Sequence, residues 1–382
     1  MVERAAAPAA MPWAGLRVVL VHDWLTGMRG GEKVLESLCR MFPSADLITL
    51  VHDRRSVSPL IESRRIRTSL IQRLPGSRSL YRHYLPLFPF AVEQFDLDDV
   101  DLVVSTSSCA AKSVVPTGRA LHVCYCHSPM RYAWDQFDAY FGPERLGRAG
   151  SALARVTMAW LARWDRDTAH RVHAFVANSG HVAGRIARYY NRRATVVHPP
   201  VDTEFFTPGD APPASYFLVV SALVPYKRID FAVDAATRLG LPLKIVGSGP
   251  DEARLRARAG SNVEFVGPVE GDALRQLYRG TRALLLPGEE DFGIAPVEAM
   301  ACGRPVIALG RGGATETVRP GVTGVLVDQP GAEAFGAAMQ NLDPAAFDAH
   351  AIRAHAETFA TARFESAFAG AVADALAAGA SC

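Results

Sequence analysis

Apolar residues in this chain fall into short bounded runs separated by stretches of helix length. Residues 16–22 (LRVVLVH) form a continuous run of the kind a fully buried strand requires. A glycine-bearing loop, Gly27-Met28-Arg29-Gly30-Gly31, follows, and a helical pattern covers 32–41. Further strands are predicted at 46–50, 102–105, 121–126, 175–178 and 195–198, with helical patterns between them. At 207–214 the sequence becomes TPGDAPPA, a Pro- and Gly-rich linker. A second alternation then begins: strand 217–221, helix 229–239, strand 243–246, helix 252–259, strand 263–266, helix 272–278 and strand 283–286. Strands at 306–309 and 324–327 complete it.

Alternation of this kind predicts an α/β protein with parallel sheets. Two such halves predict two Rossmann-like domains facing across a cleft, the first over 15–206 and the second over 207–360. The Ala-rich tail 345–378 is predicted to be helical, and its last part, 361–382, to cross back onto the first domain.

The segment 290–298, EDFGIAPVE, carries the most chemical information. Two carboxylates, Glu290 and Glu298, bracket a turn between a buried strand ending at Pro287-Gly288 and a helix opening near Pro296. That arrangement gathers free backbone N–H groups and two anions around one crevice, where ligands sit in open α/β sheets. Amides at a helix start favour phosphate, and carboxylates accept hydrogen bonds from sugar hydroxyls. Both together point to a sugar nucleotide. Taken alone, the pair reads better as a helix decoration and a solvated loop acid, because such spacings are common; the motifs around it reverse that reading.

Composition narrows the class. A chain of 382 residues with 49% hydrophobic content can bury two cores. With 41 basic and 39 acidic side chains the net charge is +2, which gives no argument for a nucleic-acid partner. Six cysteines, at 39, 109, 124, 126, 302 and 382, show no metal-ligand spacing and suit a reduced, cytoplasmic setting. Residues 1–14 are rich in Ala and Pro, lack a signal-peptide core and are predicted to be a disordered leader. No apolar stretch approaches the ~18 residues that span a bilayer, so any membrane contact lies on the surface.

Several features reinforce the carboxylate segment. The loop Gly27–Gly31 lacks the GxGxxG order of a dinucleotide fingerprint, which counts against a dehydrogenase. Its adjacent Gly30 and Gly31 suit either close approach to a phosphate or sugar, or an ordinary tight turn. In Val224-Pro225-Tyr226-Lys227-Arg228-Ile229-Asp230, two cations at a strand end are placed to neutralise a diphosphate leaving group. Basic residues at a helix start oppose the macrodipole, which makes a bound anion the better account. His127, in Cys126-His127-Ser128-Pro129-Met130-Arg131-Tyr132, ends a buried strand where a substrate hydroxyl could meet it. Glycine turns at 247–250 and 266–268 would close strands lining the same crevice.

Between Glu62 and Glu93 no acid occurs, yet six arginines, at 64, 65, 67, 73, 78 and 82, interleave with apolar residues over 64–88. This stretch suits an anionic membrane surface or a lipid-diphosphate acceptor. It also suits a surface helical hairpin whose arginine stems cover the core.

These motifs together resemble the retaining, nucleotide-sugar-dependent glycosyltransferases of family 4, which have the two-domain GT-B fold. The resemblance runs from about Arg17 to Phe364. It rests on VSALVPYKRID, VGSGP, FVGPV, EDFGIAPVEAMACGRPVIA and GGATETV, with HDWLTGMRGGEKVLE and CYCHSPMRY in the first half. The first-half motifs look most like bacterial mannosyltransferases of surface-polysaccharide synthesis. The resemblance implies that Glu298 holds the nucleotide ribose and Glu290 contacts the donor sugar. It places the amides of Gly293, Ile294 and Ala295 near sugar and phosphate, and Lys227 on the diphosphate. His127 matches the active-site histidine, and Gly30-Gly31 the loop approaching the diphosphate.

Where many relatives have an arginine this chain has Ala222, and Arg228 is the candidate to replace it. Transfer is expected to retain the anomeric configuration by a front-face route. Lys227 and helix amides would supply the charge stabilisation that a metal gives other transferases, so metal independence and no cofactor are expected. GDP-mannose is the expected donor and a polyprenyl-diphosphate-linked glycan the expected acceptor, with the enzyme at the inner face of the membrane. Alternatives are a UDP-sugar donor, an epimerase or phosphorylase of the same architecture, and a non-catalytic sugar-nucleotide-binding subunit.

Overall fold

A computed structural model describes residues 11–209 and 215–380. Most of the expected leader, residues 1–10, and most of the expected linker, residues 210–214, lie outside the described residues. The first sheet comprises β1 (Val18–His22), β2 (Asp46–Thr49), β3 (Ile66–Thr68), β4 (Leu102–Ser107), β5 (Leu121–Cys126), β6 (Ala174–Ala177) and β7 (Ala194–Val196). The second comprises β8 (Phe217–Val220), β9 (Leu243–Val246), β10 (Val263–Gly267), β11 (Leu284–Leu286), β12 (Val306–Leu309) and β13 (Gly324–Val327). Their orders are β3-β2-β1-β4-β5-β6-β7 and β10-β9-β8-β11-β12-β13, with parallel pairing between the neighbours. The order therefore reverses between β1 and β4, and again between β8 and β11.

Both faces of the central strands are covered, which is why they read as unbroken apolar runs. Leu20 joins a core with Leu38, Tyr125 and Phe368 on one face, while Val19 and Val21 join Ile48, Val103 and Phe88 on the other. The expected α/β alternation is present in both halves.

The helix Thr361–Gly379 packs on the first sheet through Phe364, Phe368, Val372 and Ala375, spaced on one helical face. The Phe364 and Phe368 rings lie 5.6 and 6.1 Å from that of Tyr125. The chain reaches this helix beside its earlier crossing, where Val201 N–H donates to Phe359 O at 3.0 Å. The Ala-rich tail is not one helix. It breaks between Ala349–Ala356 and Thr361–Gly379, with Ala360 at ψ 152°.

Three other expectations change. Trp13, inside the expected leader, is buried with its ring 4.5 Å from that of Phe42, because an indole has more to gain from the core than from water. The edge strand β3 lies within the basic stretch. The rest of that stretch makes no hairpin; Pro75, Pro86 and Pro89 confine it to the short turns Leu70–Arg73, Ser77–Leu80 and Tyr81–Leu87 and the helix Phe88–Glu93. Ile71, Tyr81, Leu85 and Phe88 are buried, whereas Leu80, Leu87 and Phe90 are exposed. Arg64 and Arg67 serve the fold, donating to the carbonyls of Cys39 and Asp96.

The helix Pro143–Asp167 carries a second exposed apolar stripe. Leu153, Val156 and Trp160 are 72, 71 and 49% accessible, and the exposed arginines 148, 155 and 163 lie along the same part of the helix, beyond a kink at Gly147. Among the described residues, no helix is long and apolar enough to cross a membrane. Cys39, Cys109, Cys124, Cys126 and Cys302 are buried free thiols.

Candidate functional site

The carboxyl ends of β1, β4, β5, β8 and β11 face one cleft of about 420 Å3 between the halves. Both reversals of strand order open onto it, which is where an open parallel sheet leaves room for a ligand. From β1 come His22 and Asp23. His22 Nδ1 is 2.5 Å from Thr106 Oγ1 of β4. Asp23 accepts from the backbone N–H groups of Ser108 (2.6 Å), Ala110 (2.8 Å) and Ala111 (2.7 Å). Those donors hold the carboxylate as a strut for the loop after β4.

The helix Gly30–Met41 starts at the cleft. A Cβ on Gly31 would sit 3.5 Å from His127 Nε2, and one on Gly30 would sit 3.1 Å from Ile294 Cδ1 of the opposite half. Space at Gly30 is thus tight: a methyl there would need Ile294 to shift slightly, and a larger side chain would press the two halves apart. His127 Nε2 is buried with no hydrogen-bond partner. Burial pulls the pKa of this imidazole down to about 4, and the neighbouring His22 adds to the effect, so the ring is neutral near pH 7. Its backbone is fixed by Asn178 Nδ2, which donates to His127 O at 3.0 Å.

Across the cleft, the Lys227 ammonium pairs with the Glu290 carboxylate, both largely buried. Gly293 takes φ +87°, a left-handed conformation that turns the chain into the helix Ile294–Ala301. Gly293, Ile294 and Ala295 line the cleft beside Glu290. Glu298 lies one turn further, buried, and is already engaged. Lys33 Nζ of the first half donates to its Oε1 at 2.5 Å, and Tyr278 OH donates to its Oε2 at 2.7 Å. Burial works against the Lys33 charge, but the Glu298 carboxylate outweighs it and the pKa of the ammonium is raised.

Other contacts also join the halves. Arg131 Nε donates to Asp291 Oδ2 at 2.8 Å, and its guanidinium lies 5.4 Å from the Tyr226 ring centroid. Ser179 Oγ donates to Asp291 O at 2.6 Å. Glu316 accepts from the N–H groups of Gly180 and His181 at the start of the helix Gly180–Tyr190.

Of the residues expected from sequence, Gly30, Gly31, His127, Lys227, Glu290, Gly293, Ile294 and Ala295 meet in the cleft. Arg228 does not. Its guanidinium donates to Asp230 at 3.1 Å and lies 3.7 Å from the Phe231 ring centroid, so its own helix holds it away. It does not replace the arginine missing at Ala222, which itself lines the cleft. Sequence reasoning missed Arg29, Asp23, Arg131 and Asp291 as lining residues. Arg29 adjoins Gly30 and Arg131 follows His127 by four, so proximity to the motifs was the available signal. Lys33 gave none, since its partner is 265 positions away.

Two Asp-x-Asp spacings, at 96–98 and 99–101, lie just before β4, at the end of that strand opposite the cleft. Asp99 pairs with Arg17, and Asp101 accepts from Arg17 N at 2.9 Å. Neither spacing reaches the cleft. Glu290, Asp23 and Asp291 line the cleft and are each tied to donors, and Glu298 is held by donors behind its wall, so the cleft presents anchored carboxylates, a neutral histidine and paired cations. That set suits binding hydroxyls and a developing diphosphate charge rather than shuttling protons between acids.

Both halves of the chain match glycosyltransferase family models. Residues 28–205 match the family model "Glycosyltransferase Family 4", and residues 214–343 match "Glycosyl transferases group 1". A D-inositol 3-phosphate glycosyltransferase of Mycobacterium sp. (strain KMS) is 35% identical over 158 residues, 36% of each chain. One from Mycolicibacterium gilvum (strain PYR-GCK) is 31% identical over 215 residues, 49% of this chain and 48% of the relative. The chain thus spans about half or less of the curated relatives it matches. Among solved structures, Anabaena Alr3699/HepE in complex with UDP-glucose aligns with TM-score 0.69 at 17% identity, over 94% of this chain and 99% of that one. The sucrose-phosphate synthase of Thermosynechococcus elongatus aligns at 0.71 and 18% identity, over 95% and 100%. At that identity the two structures establish the GT-B fold.

Proposed function

We propose that this chain, whose halves match the models "Glycosyltransferase Family 4" and "Glycosyl transferases group 1" on a GT-B frame, is a family 4 glycosyltransferase that moves a sugar from a nucleoside diphosphate to a hydroxyl with retention. The observation that carries this reading is the Lys227–Glu290 pair in the interdomain cleft, opposite His127 and the Gly30-Gly31 start of a helix. The second half would hold the donor and the first half the acceptor.

In this reading the ribose hydroxyls take the Glu298 carboxylate in exchange for Lys33. The donor sugar displaces Lys227 from Glu290, which frees the ammonium for the diphosphate. Amides at Gly293, Ile294 and Ala295 add partial positive charge where the leaving oxygens gather negative charge. His127, neutral and with Nε2 unpartnered, is available to a sugar hydroxyl. With the cleft carboxylates engaged by donors, a front-face path is favoured, in which the departing diphosphate accepts the acceptor's proton. Turnover is expected to persist in EDTA.

We assign GDP-mannose as donor and a lipid-linked glycan as acceptor at the inner membrane face. The first-half motifs support that choice. The basic stretch 64–88, with Leu80 and Leu87 exposed and Phe90 exposed just beyond it, supports the membrane contact. A UDP-sugar is the second reading, favoured by the UDP and UDP-glucose bound in the Anabaena neighbours. Thermal shift against GDP, UDP and their sugars tests the assignment. Stabilisation by GDP alone supports the first reading, by UDP alone the second, and by no nucleotide would overturn both. Nucleoside diphosphate released only when acceptor is added excludes a purely binding subunit.

A further inference from the structure

A second cavity, of about 430 Å3, opens beside the cleft and shares Trp24, Ser108, His127, Arg131, Tyr226 and Asp291 with it. Its volume lies within the ~300–1,000 Å3 of small-molecule sites. A ligand seated there would have one end at His127. The walls are mostly rings: Trp24, Phe88, Tyr132, Tyr140, Phe141 and Tyr226. Tyr140 and Tyr226 stack across the two halves with centroids 6.0 Å apart. Flat apolar rings are the surface against which the C–H face of a pyranose packs.

At the rim stands Arg82, exposed, supplied by the turn Tyr81–Leu87 of the basic stretch. Its guanidinium is propped on rings, 4.7 Å from the Tyr81 centroid and 6.0 Å from that of Trp24. Among the described residues no carboxylate pairs with it, whereas Arg131, deeper in the same cavity, is committed to Asp291. His83 lines the rim beside it. An arginine held by stacking, with its donors unspent, is suited to bidentate capture of a phosphate or similar oxyanion.

We propose that this cavity is the acceptor site and takes a phosphorylated glycan, its terminal sugar against the aromatic wall and its phosphate on Arg82. This rests on the reading of the neighbouring cleft as the donor site. The proposal gives the basic stretch two faces, Arg82 and His83 toward the ligand and Leu80, Leu87 and Phe90 toward the outside. The phosphate could belong to a lipid diphosphate or to a soluble sugar phosphate, and the chemistry at Arg82 is common to both.

The test is calorimetric titration of the full chain, wild type and Arg82→Ala, with three probes of one sugar: its methyl glycoside, its 1-phosphate, and its conjugate to a short prenyl diphosphate. The wild type should bind a phosphorylated probe more tightly than the neutral one. Arg82→Ala should lose on the order of 10- to 100-fold for the phosphorylated probes and little for the glycoside, with Arg82→Lys in between. Preference for the prenyl conjugate names the lipid source, and parity names the soluble one. Equal affinities in wild type and Arg82→Ala, or no wild-type preference for phosphate, would overturn the proposal. Nucleotide stabilisation measured in parallel separates that outcome from failure of the donor reading, which would show as loss of nucleotide binding in the wild type.

Discussion

A Cβ placed on Gly30 would stand 3.1 Å from Ile294 Cδ1, across the gap between the two sheets. A residue that begins a helix in one half therefore fixes how near the other half can come. Gly30→Ala asks only a small shift of a flexible methyl and should change kcat/KM by less than about threefold. Gly30→Val cannot be accommodated so easily, and should lower kcat/KM by roughly tenfold or more while Tm moves by only a few degrees. Steady-state kinetics with a donor titration checks both, and equal activity of the two variants would show that the halves do not need to close this far.

The Lys227–Glu290 pair supplies a second prediction. Lys227→Ala removes the cation assigned to the diphosphate and should cost roughly 10²–10³-fold in kcat, the scale of a lost transition-state donor. Near-normal turnover, followed by release of the nucleoside diphosphate, would remove Lys227 from the mechanism.

If Glu298 receives the ribose, Glu298→Gln should weaken nucleotide binding about tenfold yet leave inhibition by pyrophosphate unchanged. The wild type should lose comparable affinity for a deoxyribose nucleotide, and the variant should not lose it twice. Additive losses would mean that ribose and carboxylate do not meet.

Buried neutral histidines make stability depend on pH. His127 is held at about 4 and His122, fully buried, at about 3, in both cases chiefly by burial. An unfolded histidine takes up its proton near 6.5. Between those values the unfolded chain binds more protons, so this stabilisation is present above pH 6.5 and is lost as pH falls toward 4. Tm should decline on acidification from pH 7 to 5, and the decline should be shallower in His127→Gln. Parallel curves would count against a buried neutral ring.

The exposed Leu153, Val156 and Trp160 stripe, flanked by arginines, should support salt-sensitive sedimentation with anionic vesicles and not with zwitterionic ones. Replacing all three by Ser should weaken it without changing nucleotide binding, the basic stretch keeping the remainder. Undiminished sedimentation of the variant would remove this stripe from the contact.

Period and length made most of the strands and both sheets legible, because buried parallel strands leave unbroken apolar runs. The three-residue β3 was hidden, since an edge strand inside an arginine-rich stretch lacks such a run. Motif residues at strand ends, such as His127 and Glu290, declared themselves through position. Arg228 did not, because sequence reveals a cation but not that Asp230 and Phe231 will hold its guanidinium. Lys33, Arg131 and Asp291 act only once the two halves meet, and no local pattern announces a partner more than 150 residues away.

The return of Thr361–Gly379 to the first sheet has a consequence for synthesis. Phe364 and Phe368 complete the core around Tyr125, on the strand that leads into His127. A ribosome must translate the whole second half before that core can close. Until then the early half waits with an apolar face uncovered, and the segment that carries the histidine settles only after nearly all of the chain has emerged.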